Sequence, residues 1–241
     1  MNLLTSSNGV AVYTDSGDVL PLMHILGIGR NYAEHAKEQG AAVPDAPMVF
    51  TKNAAAACLS GEAIIVPKVC QDREQVDYEG ELAVIIGRRT RDIPKAEALS
   101  CVLGYCCAND VSARWWQKSG SGGQFFRGKS FDTFCPLGPR VVAAAEIPNP
   151  NALRLKTRVN GRTVQEDSTG SMIFDAATLI SDLSRGMTLL PGTVILTGTP
   201  SGVGMARTTP EYLKHGDVVE VEIERIGTLS NRVAFEDFPE A

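Results

Sequence analysis

The sequence predicts a β-rich α+β fold with a curled sheet. Many short apolar segments are bounded by turn residues, and few stretches have helical periodicity. Asn160-Gly161 separates two such segments, Leu153–Val159 and Arg162–Gln165, and two-residue Asn-Gly turns favour tight hairpins. Residues 219–223 alternate valine or isoleucine with glutamate, which is typical of a strand with one buried face.

Composition narrows the class of protein. The chain has 241 residues, 21% charged and 44% hydrophobic, enough for one large domain or two small ones. Its net charge of −5 and the absence of a basic block exclude nucleic acid as an expected partner. No apolar stretch has membrane-spanning length and no signal peptide is visible, so we expect no membrane partner and a cytoplasmic location. Six cysteines without zinc-type spacing predict free thiols in a reducing compartment.

The N-terminal part predicts a hairpin, a strand and a short helix. Residues 10–14 and 19 onward flank a turn and form the hairpin, and Leu22–Ile28 is a strand. Asn31 is the expected N-cap of the helix, with Glu34 completing a capping box, and Gly40 is the expected end. This helix has little apolar surface, so we expect it to be mobile.

Further along the chain, apolar runs predict more strands than helices. Residues 47–52, 63–66, 102–108, 193–197 and 226–235 are predicted strands, and residues 95–100, 111–117 and 173–185 are predicted helices.

The stretch 77–87, DYEGELAVIIG, places three carboxylates before an apolar strand. Alternation puts Asp77, Glu79 and Glu81 on one face, which continues through Ala83 and Ile85. Like charges at this spacing repel, and burial disfavours the charged form of each. A divalent cation such as Mg²⁺, Mn²⁺ or Ca²⁺ would remove both costs. The alternative is that the carboxylates stay in water while only the end of the strand is buried.

The motifs IGRNYAEHAKE, DYEGELAVIIG, GYCCANDVSAR, GKSFDTFCPLGP, QEDSTGSMIF and VILTGTPSGVG occur in this order. In this order they resemble the fumarylacetoacetate hydrolase family, and in length the chain is similar to its compact members, such as acylpyruvase and oxaloacetate decarboxylase. The resemblance implies a mixed β-sandwich roll with flanking short helices, usually dimeric. It divides the chain into a short N-terminal hairpin segment, 1–21, and a catalytic domain, 22–241.

The resemblance implies a metal site at Glu79, Glu81 and Asp110. Three carboxylates leave about three of six octahedral positions for water and substrate, which suits a catalytic site. The alternative for Asp110 is an N-cap of the following helix. Asp77 is not a ligand in the family and is expected to support the ligands.

The resemblance also implies that Lys129 is catalytic and that Arg30, Arg114, Gln117 and Thr199 bind substrate. A lysine near the cation would stabilise negative charge developing on an oxygen. The alternative for the charged and amide side chains is a solvated surface position, and for Thr199 an ordinary tight turn.

His35 and Glu38 are three residues apart on the short helix and therefore share a face. A carboxylate orients an imidazole and favours its charged form, which suits a general base. The alternative is a simple pair on the helix surface. In compact relatives this helix is a lid that orders on ligand binding, and the pair then activates water.

These residues predict Mg²⁺-dependent hydrolysis of a carbon–carbon bond in 2,4-dioxo acids of the acylpyruvate or fumarylpyruvate type. His35 activates water, and the pyruvate enolate is stabilised by Mg²⁺ and Lys129. Oxaloacetate decarboxylation, or hydration or isomerisation of 2-oxo dienoic acids in aromatic catabolism, remains open. So does a non-catalytic metal-binding protein on the same scaffold. The expected partners are a small 2-oxo acid and a second copy of the chain.

Overall fold

The computed structural model describes residues 1–7 and 9–237 and shows an α+β fold dominated by short strands. Its strands, in chain order, are β1 (Asn2–Ser6), β2 (Gly9–Tyr13), β3 (Val19–Pro21), β4 (His24–Gly29), β5 (Met48–Lys52), β6 (Ala57–Leu59), β7 (Ile64–Val66), β8 (Val76–Asp77), β9 (Gly80–Ile86), β10 (Val102–Asn109), β11 (Ser112–Ala113), β12 (Cys135–Ala143), β13 (Arg154–Val159), β14 (Arg162–Ser168), β15 (Thr193–Leu196), β16 (Val218–Ile223) and β17 (Gly227–Phe235).

The helices are short and flank the strands. The α-helices are α1 (Ala33–Glu38), α2 (Arg114–Gln117), α3 (Phe125–Lys129) and α4 (Ala176–Ser184). Single turns or short runs of 3-10 helix cover Ala54–Ala56, Lys68–Cys70, Lys95–Cys101, Ala144–Glu146, Thr169–Ser171 and Gly204–Ala206.

Two large sheets form the body of the fold. The seven-stranded sheet has the mixed order β5-β4-β15-β9-β10-β12-β6, and the five-stranded sheet has the order β14-β13-β16-β17-β7. A three-stranded sheet, β1-β2-β3, and the pair β11-β8 complete the structure. The mixed, β-rich architecture predicted from the sequence is confirmed.

Strand β9 lies at the centre of the seven-stranded sheet and is buried along its whole length. Leu82, Val84 and Ile86 belong to the core between the two large sheets and α4. Ala83 and Ile85 belong to a second core, against β2. Each face of the strand therefore packs against a different layer, as its two apolar faces predict.

The predicted Asn-Gly hairpin is confirmed. It joins β13 to β14, and Asn160 and Gly161 have φ angles of 52° and 76°. Positive φ at both central residues is what a type I′ turn requires. Residues 218–223 form the expected half-buried strand, paired with β17.

The predicted N-terminal hairpin is also present, as β2 and β3, but strand β1 was not predicted from the sequence. This strand pairs antiparallel with β2 along its whole length.

The predicted capping box of the first helix is wrong. The N-cap of α1 is Tyr32, without a side-chain cap, and Asn31 is fully buried. The Asn31 side chain donates to the carbonyls of Phe174 (2.9 Å) and Thr197 (2.7 Å) and accepts from Phe174 N–H (2.8 Å). A buried carboxamide that joins three segments satisfies more backbone groups than a helix cap would.

Two other predicted helices differ from the expectation, the first in length and the second in being a 3-10 helix. Residues 111–117 begin as β11 and become helical only at Arg114, and residues 95–101 form a 3-10 helix. The third, α4, begins at Ala176 because the Asp175 carboxylate accepts from Thr178 N–H at 2.7 Å.

All six cysteines are free and buried, as predicted. Within residues 1–7 and 9–237, the helices are too short to span a bilayer.

We predict that Asn31→Ala lowers the free energy of unfolding by about 3 kcal/mol, because two carbonyls and one N–H lose their buried partner. Urea unfolding followed by circular dichroism measures the change. Asn149→Ala is the control, since Asn149 is exposed and makes one turn contact (3.1 Å to Asn151 N–H). Equal effects of the two substitutions would show that the Asn31 contacts do not stabilise the fold.

Candidate active site

The pairing of β9 with β10 brings three acidic residues together. Glu81 lies in β9 opposite Ala108, Glu79 immediately precedes β9, and Asp110 immediately follows β10. The Asp110 N–H donates to the Glu79 carbonyl at 2.8 Å. One carboxylate oxygen from each of the three residues lies within 4.8 Å of the others.

The acidic stretch does not form one continuous strand. Asp77 lies in β8 and the chain leaves the sheet at Tyr78 and Glu79, so the simple alternation from Asp77 to Glu81 does not hold. The expectation of solvated carboxylates is also wrong, because Glu79 is 5%, Glu81 1% and Asp110 0% exposed.

Burial affects the two glutamates differently. Burial raises the pKa of Glu81 well above its usual value, and the neighbouring Asp110 and Glu79 raise it further. Burial also opposes ionisation of Glu79, but Lys129 and Arg114 outweigh this effect and lower its pKa. The repulsion between the buried carboxylates therefore disfavours ionisation of Glu81 most clearly, since Glu79 is stabilised in its charged form by its cations.

This arrangement fits a divalent cation. Three carboxylates supply the hard oxygen donors that Mg²⁺, Mn²⁺ or Ca²⁺ prefers. Glu81 Oε2 accepts from Gly198 N–H at 2.6 Å, whereas Oε1 accepts no hydrogen bond from the described part of the chain. Glu79, Glu81 and Asp110 could thus hold one cation.

Two buried lysines contact these carboxylates. Lys129, the last residue of α3, donates to Glu79 Oε2 (2.7 Å), Ser112 Oγ (2.8 Å) and Asp110 Oδ2. Lys52, at the end of β5, donates to Asp110 Oδ1 and to the Phe134 carbonyl (2.7 Å). Nothing in the sequence around Lys52 distinguishes it from a surface lysine at the end of a strand, and sequence reasoning missed it.

Arg114 lies behind Glu79. Its guanidinium donates to Asp77 Oδ2 (2.9 and 2.7 Å) and to Gln117 Oε1 (3.0 Å), and it forms an ion pair with Glu79 Oε1 (2.8 Å). Asp77 also accepts from the N–H groups of Gly204 and Met205. Asp77 therefore fixes Arg114, which in turn orients Glu79.

Thr199 lies in the loop after β15. Its hydroxyl donates to the Gly80 carbonyl (2.9 Å) and accepts from Gln165 Nε2 (2.8 Å). Gln165 Oε1 accepts from Gly80 N–H (3.0 Å), so this amide joins the loop to the start of β9. Gln165 lies in the motif QEDSTGSMIF, yet sequence reasoning gave it no role.

The predicted pair of His35 and Glu38 is formed in the structure. His35 Nδ1 is 2.6 Å from Glu38 Oε1, and Glu38 Oε2 accepts from Gly202 N–H at 2.8 Å. The imidazole is only 3% exposed, which excludes a simple pair on the helix surface. Gln39 Nε2 lies 2.9 Å from His35 Nε2 and is a further contact that the sequence did not indicate.

A cavity of about 260 Å³ brings most of the predicted site residues together. The predicted residues that line it are Arg30, His35, Glu79, Glu81, Gln117, Lys129 and Thr199. Arg114, Asp110 and Glu38 are not among the lining residues and contact the lining side chains from behind. The volume lies below the range of about 300–1,000 Å³ found for drug-sized ligands and suits a small acid.

A family profile for fumarylacetoacetate (FAA) hydrolase C-terminal matches residues 24–234. The chain belongs to the fumarylacetoacetate hydrolase family. Membership in this family of enzymes agrees with the resemblance of the sequence motifs.

Oxaloacetate tautomerases are among the relatives of this family member. It is 44% identical over 209 residues to mitochondrial oxaloacetate tautomerase FAHD2A of Bos taurus, covering 87% of this chain and 66% of the relative. It is 46% identical over 215 residues to oxaloacetate tautomerase YisK of Bacillus subtilis, covering 88% and 70%. The chain thus spans just under two thirds of the length of the bovine relative.

A solved structure shows the same fold over the whole length of both chains. The 5-carboxymethyl-2-hydroxymuconate delta-isomerase of Mycobacterium smegmatis superimposes with a TM-score of 0.80 at 36% identity, covering 98% of this chain and 99% of that one.

We predict that Mg²⁺ binding releases protons and weakens as the pH falls. The raised pKa of Glu81 favours its protonated form, and a carboxyl group must lose that proton to become a metal ligand. Titration calorimetry in two buffers with different ionisation enthalpies measures the protons released.

Glu81→Gln is expected to abolish binding, and Glu166→Gln, at an exposed position on β14, is the control. Mg²⁺ affinity that is unchanged in Glu81→Gln would contradict the assignment of this ligand.

Proposed function

We propose that this enzyme interconverts the keto and enol forms of oxaloacetate and uses Mg²⁺. The proposal is carried by one cavity lined by His35, Lys129, Glu79 and Glu81, with the Asp110 carboxylate contacting Lys129 from behind. The names of relatives at 44–46% identity support oxaloacetate as the substrate and tautomerisation as the reaction. The similarity to an isomerase structure supports a reaction that transfers a proton. The relatives thus favour the alternatives of the sequence analysis, oxaloacetate decarboxylation and isomerisation of 2-oxo acids, over its main prediction of hydrolysis. Tautomerisation of oxaloacetate combines the substrate of the first with the proton transfer of the second, and the sequence analysis did not name it.

The reaction moves one proton from carbon 3 to the oxygen on carbon 2, or back. Glu38 holds the ring through Nδ1, which leaves the lone pair of His35 Nε2 as the base for the carbon proton. The Gln39 amide, 2.9 Å from Nε2, donates to this lone pair and has to move away before the proton is accepted. The pKa of Lys129 is raised because Asp110 and Glu79 outweigh its burial, so Lys129 stays charged and is not the base. Its ammonium stabilises the negative charge that develops on the oxygen. A bound divalent cation would add Lewis-acid stabilisation of the same charge.

Hydrolysis of acylpyruvates is the second candidate. The pairing of His35 with Glu38 also suits a base that activates water, and the cavity volume suits a small 2,4-dioxo acid. Decarboxylation of oxaloacetate would use Lys129 and the cation but needs no base. Tautomerisation and hydrolysis therefore both require His35 as a base, whereas decarboxylation does not.

We predict that His35→Ala slows tautomerisation about a hundredfold or more, because a general base is lost. Decarboxylation falls much less in the same variant, whereas Lys129→Met impairs both reactions. Enol absorbance follows tautomerisation and pyruvate formation follows decarboxylation, at saturating Mg²⁺. Lys37→Gln is the control, since Lys37 is exposed on the same helix and pairs with Glu34.

Acetylpyruvate cleavage by the wild type is measured alongside. A kcat/KM for cleavage above that for tautomerisation would overturn the order of the two candidates. An absence of all three reactions, with oxaloacetate and with acetylpyruvate, would favour the non-catalytic alternative.

We also propose a homodimer, on the strength of the resemblance to compact members of the family. Light scattering at micromolar concentration is expected to give twice the mass of the 25.8 kDa chain. A mass equal to that of one chain would contradict this proposal.

A further inference from the structure

Two cations that line the cavity have no acidic partner. Among the described residues, neither Arg30 nor Lys118 forms an ion pair, and the Arg30 side chain donates a 3.4 Å hydrogen bond from Nε to Gln39 Oε1. This separates them from Lys129, Lys52 and Arg114, each of which contacts a buried carboxylate. Positive charge at the cavity is therefore balanced at the metal ligands but not at Arg30 and Lys118.

Both side chains line the same cavity, and Lys118 is also exposed to solvent. Partial burial lowers the pKa of Lys118, and the positive charges of Arg114 and Arg30 lower it further. Like charges without a counterion are unfavourable, and an anion placed between them would relieve the repulsion. Such a pair is thus suited to hold a carboxylate, through an ammonium on one side and a guanidinium on the other.

The backbone of both residues is anchored. Lys118 follows α2 directly, and its N–H donates to the carbonyls of Arg114 (3.1 Å) and Trp115 (3.2 Å). Arg30 adopts a left-handed φ of 56° and precedes Asn31, which is fixed by its buried hydrogen bonds. The backbone of both residues is therefore fixed next to the cavity, which limits the conformational entropy that is lost when their side chains bind an anion.

We infer that Lys118, together with Arg30, binds the second carboxylate of a 2-oxo dicarboxylic acid and sets the preference for dicarboxylates. The inference rests on the proposed function, in which the 2-oxo acid end of the substrate lies beside Glu79, Glu81 and Lys129. Oxaloacetate has one further anionic group, on carbon 4. Arg30 and Lys118 are the arginine and lysine side chains of the cavity that remain to bind this group. Lys118 lies outside the sequence motifs and had no predicted role.

The test compares oxaloacetate with its 4-methyl ester, which keeps the carbon skeleton and the enolisable carbon but removes the second charge. Lys118→Gln is expected to lower kcat/KM for tautomerisation of oxaloacetate about tenfold to a hundredfold, mainly through KM, because a charged hydrogen bond is lost. The kcat/KM for the ester is expected to change little in the same variant. Lys118→Arg retains the preference for the dianion, and Arg30→Gln reproduces the selective loss.

Lys95→Gln controls for the change in net charge, because Lys95 is exposed and pairs with Asp175 at 2.9 Å. It is expected to leave both substrates unaffected. Equal loss for oxaloacetate and the ester in Lys118→Gln, or equal loss of oxaloacetate turnover in Lys95→Gln and Lys118→Gln, would overturn the inference.

A binding measurement separates this inference from the proposed reaction. Titration calorimetry with 3,3-difluoro-oxaloacetate, which cannot enolise, and with its 4-methyl ester is carried out on the Mg²⁺-loaded protein. Selective loss of dianion binding in Lys118→Gln supports the inference even if the wild type does not tautomerise oxaloacetate. Binding of the dianion that is equal in wild type and Lys118→Gln contradicts it even if tautomerisation is observed.

Discussion

The burial of carboxylates where β9 and β10 meet is the constraint on which the rest of the structure depends. Every buried Asp, Glu, Lys, Arg and His in the described chain belongs to this one site. Isolated buried charges are costly, so they persist only with counterions and hydrogen bonds close by. The network explains why polar residues interrupt an interior that is otherwise apolar.

The counterions come from separate parts of the chain. Lys52 ends an edge strand of the seven-stranded sheet, Lys129 ends α3, and Arg114 begins α2. Helix α3 reaches the carboxylates because Gly128 lets it approach α2 closely, where an added Cβ would lie 2.3 Å from Gln117 N. Local backbone geometry and site electrostatics are thus coupled, since a bulkier residue at 128 would move Lys129.

The sequence pattern made the strands that carry this site predictable, but not the side chains from distant parts of the chain that contact it. Alternation placed Ala83 and Ile85 opposite Leu82 and Val84, and the Asn-Gly turn fixed one hairpin. The motifs then indicated the acidic residues and the pair of His35 and Glu38. Local sequence could not indicate that Lys52 and Gln165 reach across the fold, because their partners lie 58 and 85 residues away.

Asn31 shows the limit of local rules most clearly. Its position before a short helix satisfies every preference for an N-cap, and an isolated peptide would have no better use for its side chain. The folded chain offers Phe174 and Thr197, which are 143 and 166 residues away, and their backbone groups would otherwise be buried without partners. Tertiary demand for hydrogen bonds therefore outweighs the local preference.

The balance of charge also distinguishes one of the buried carboxylates, Glu81, from the others. Four buried carboxylates, on Asp77, Glu79, Glu81 and Asp110, face three buried cations within the described residues. Asp77, Glu79 and Asp110 each contact a lysine or an arginine, whereas Glu81 receives only the Gly198 N–H. Its charge is the one left for a proton or a metal ion to balance. If a metal ion binds there, competition with a proton at Glu81 would link metal binding to pH.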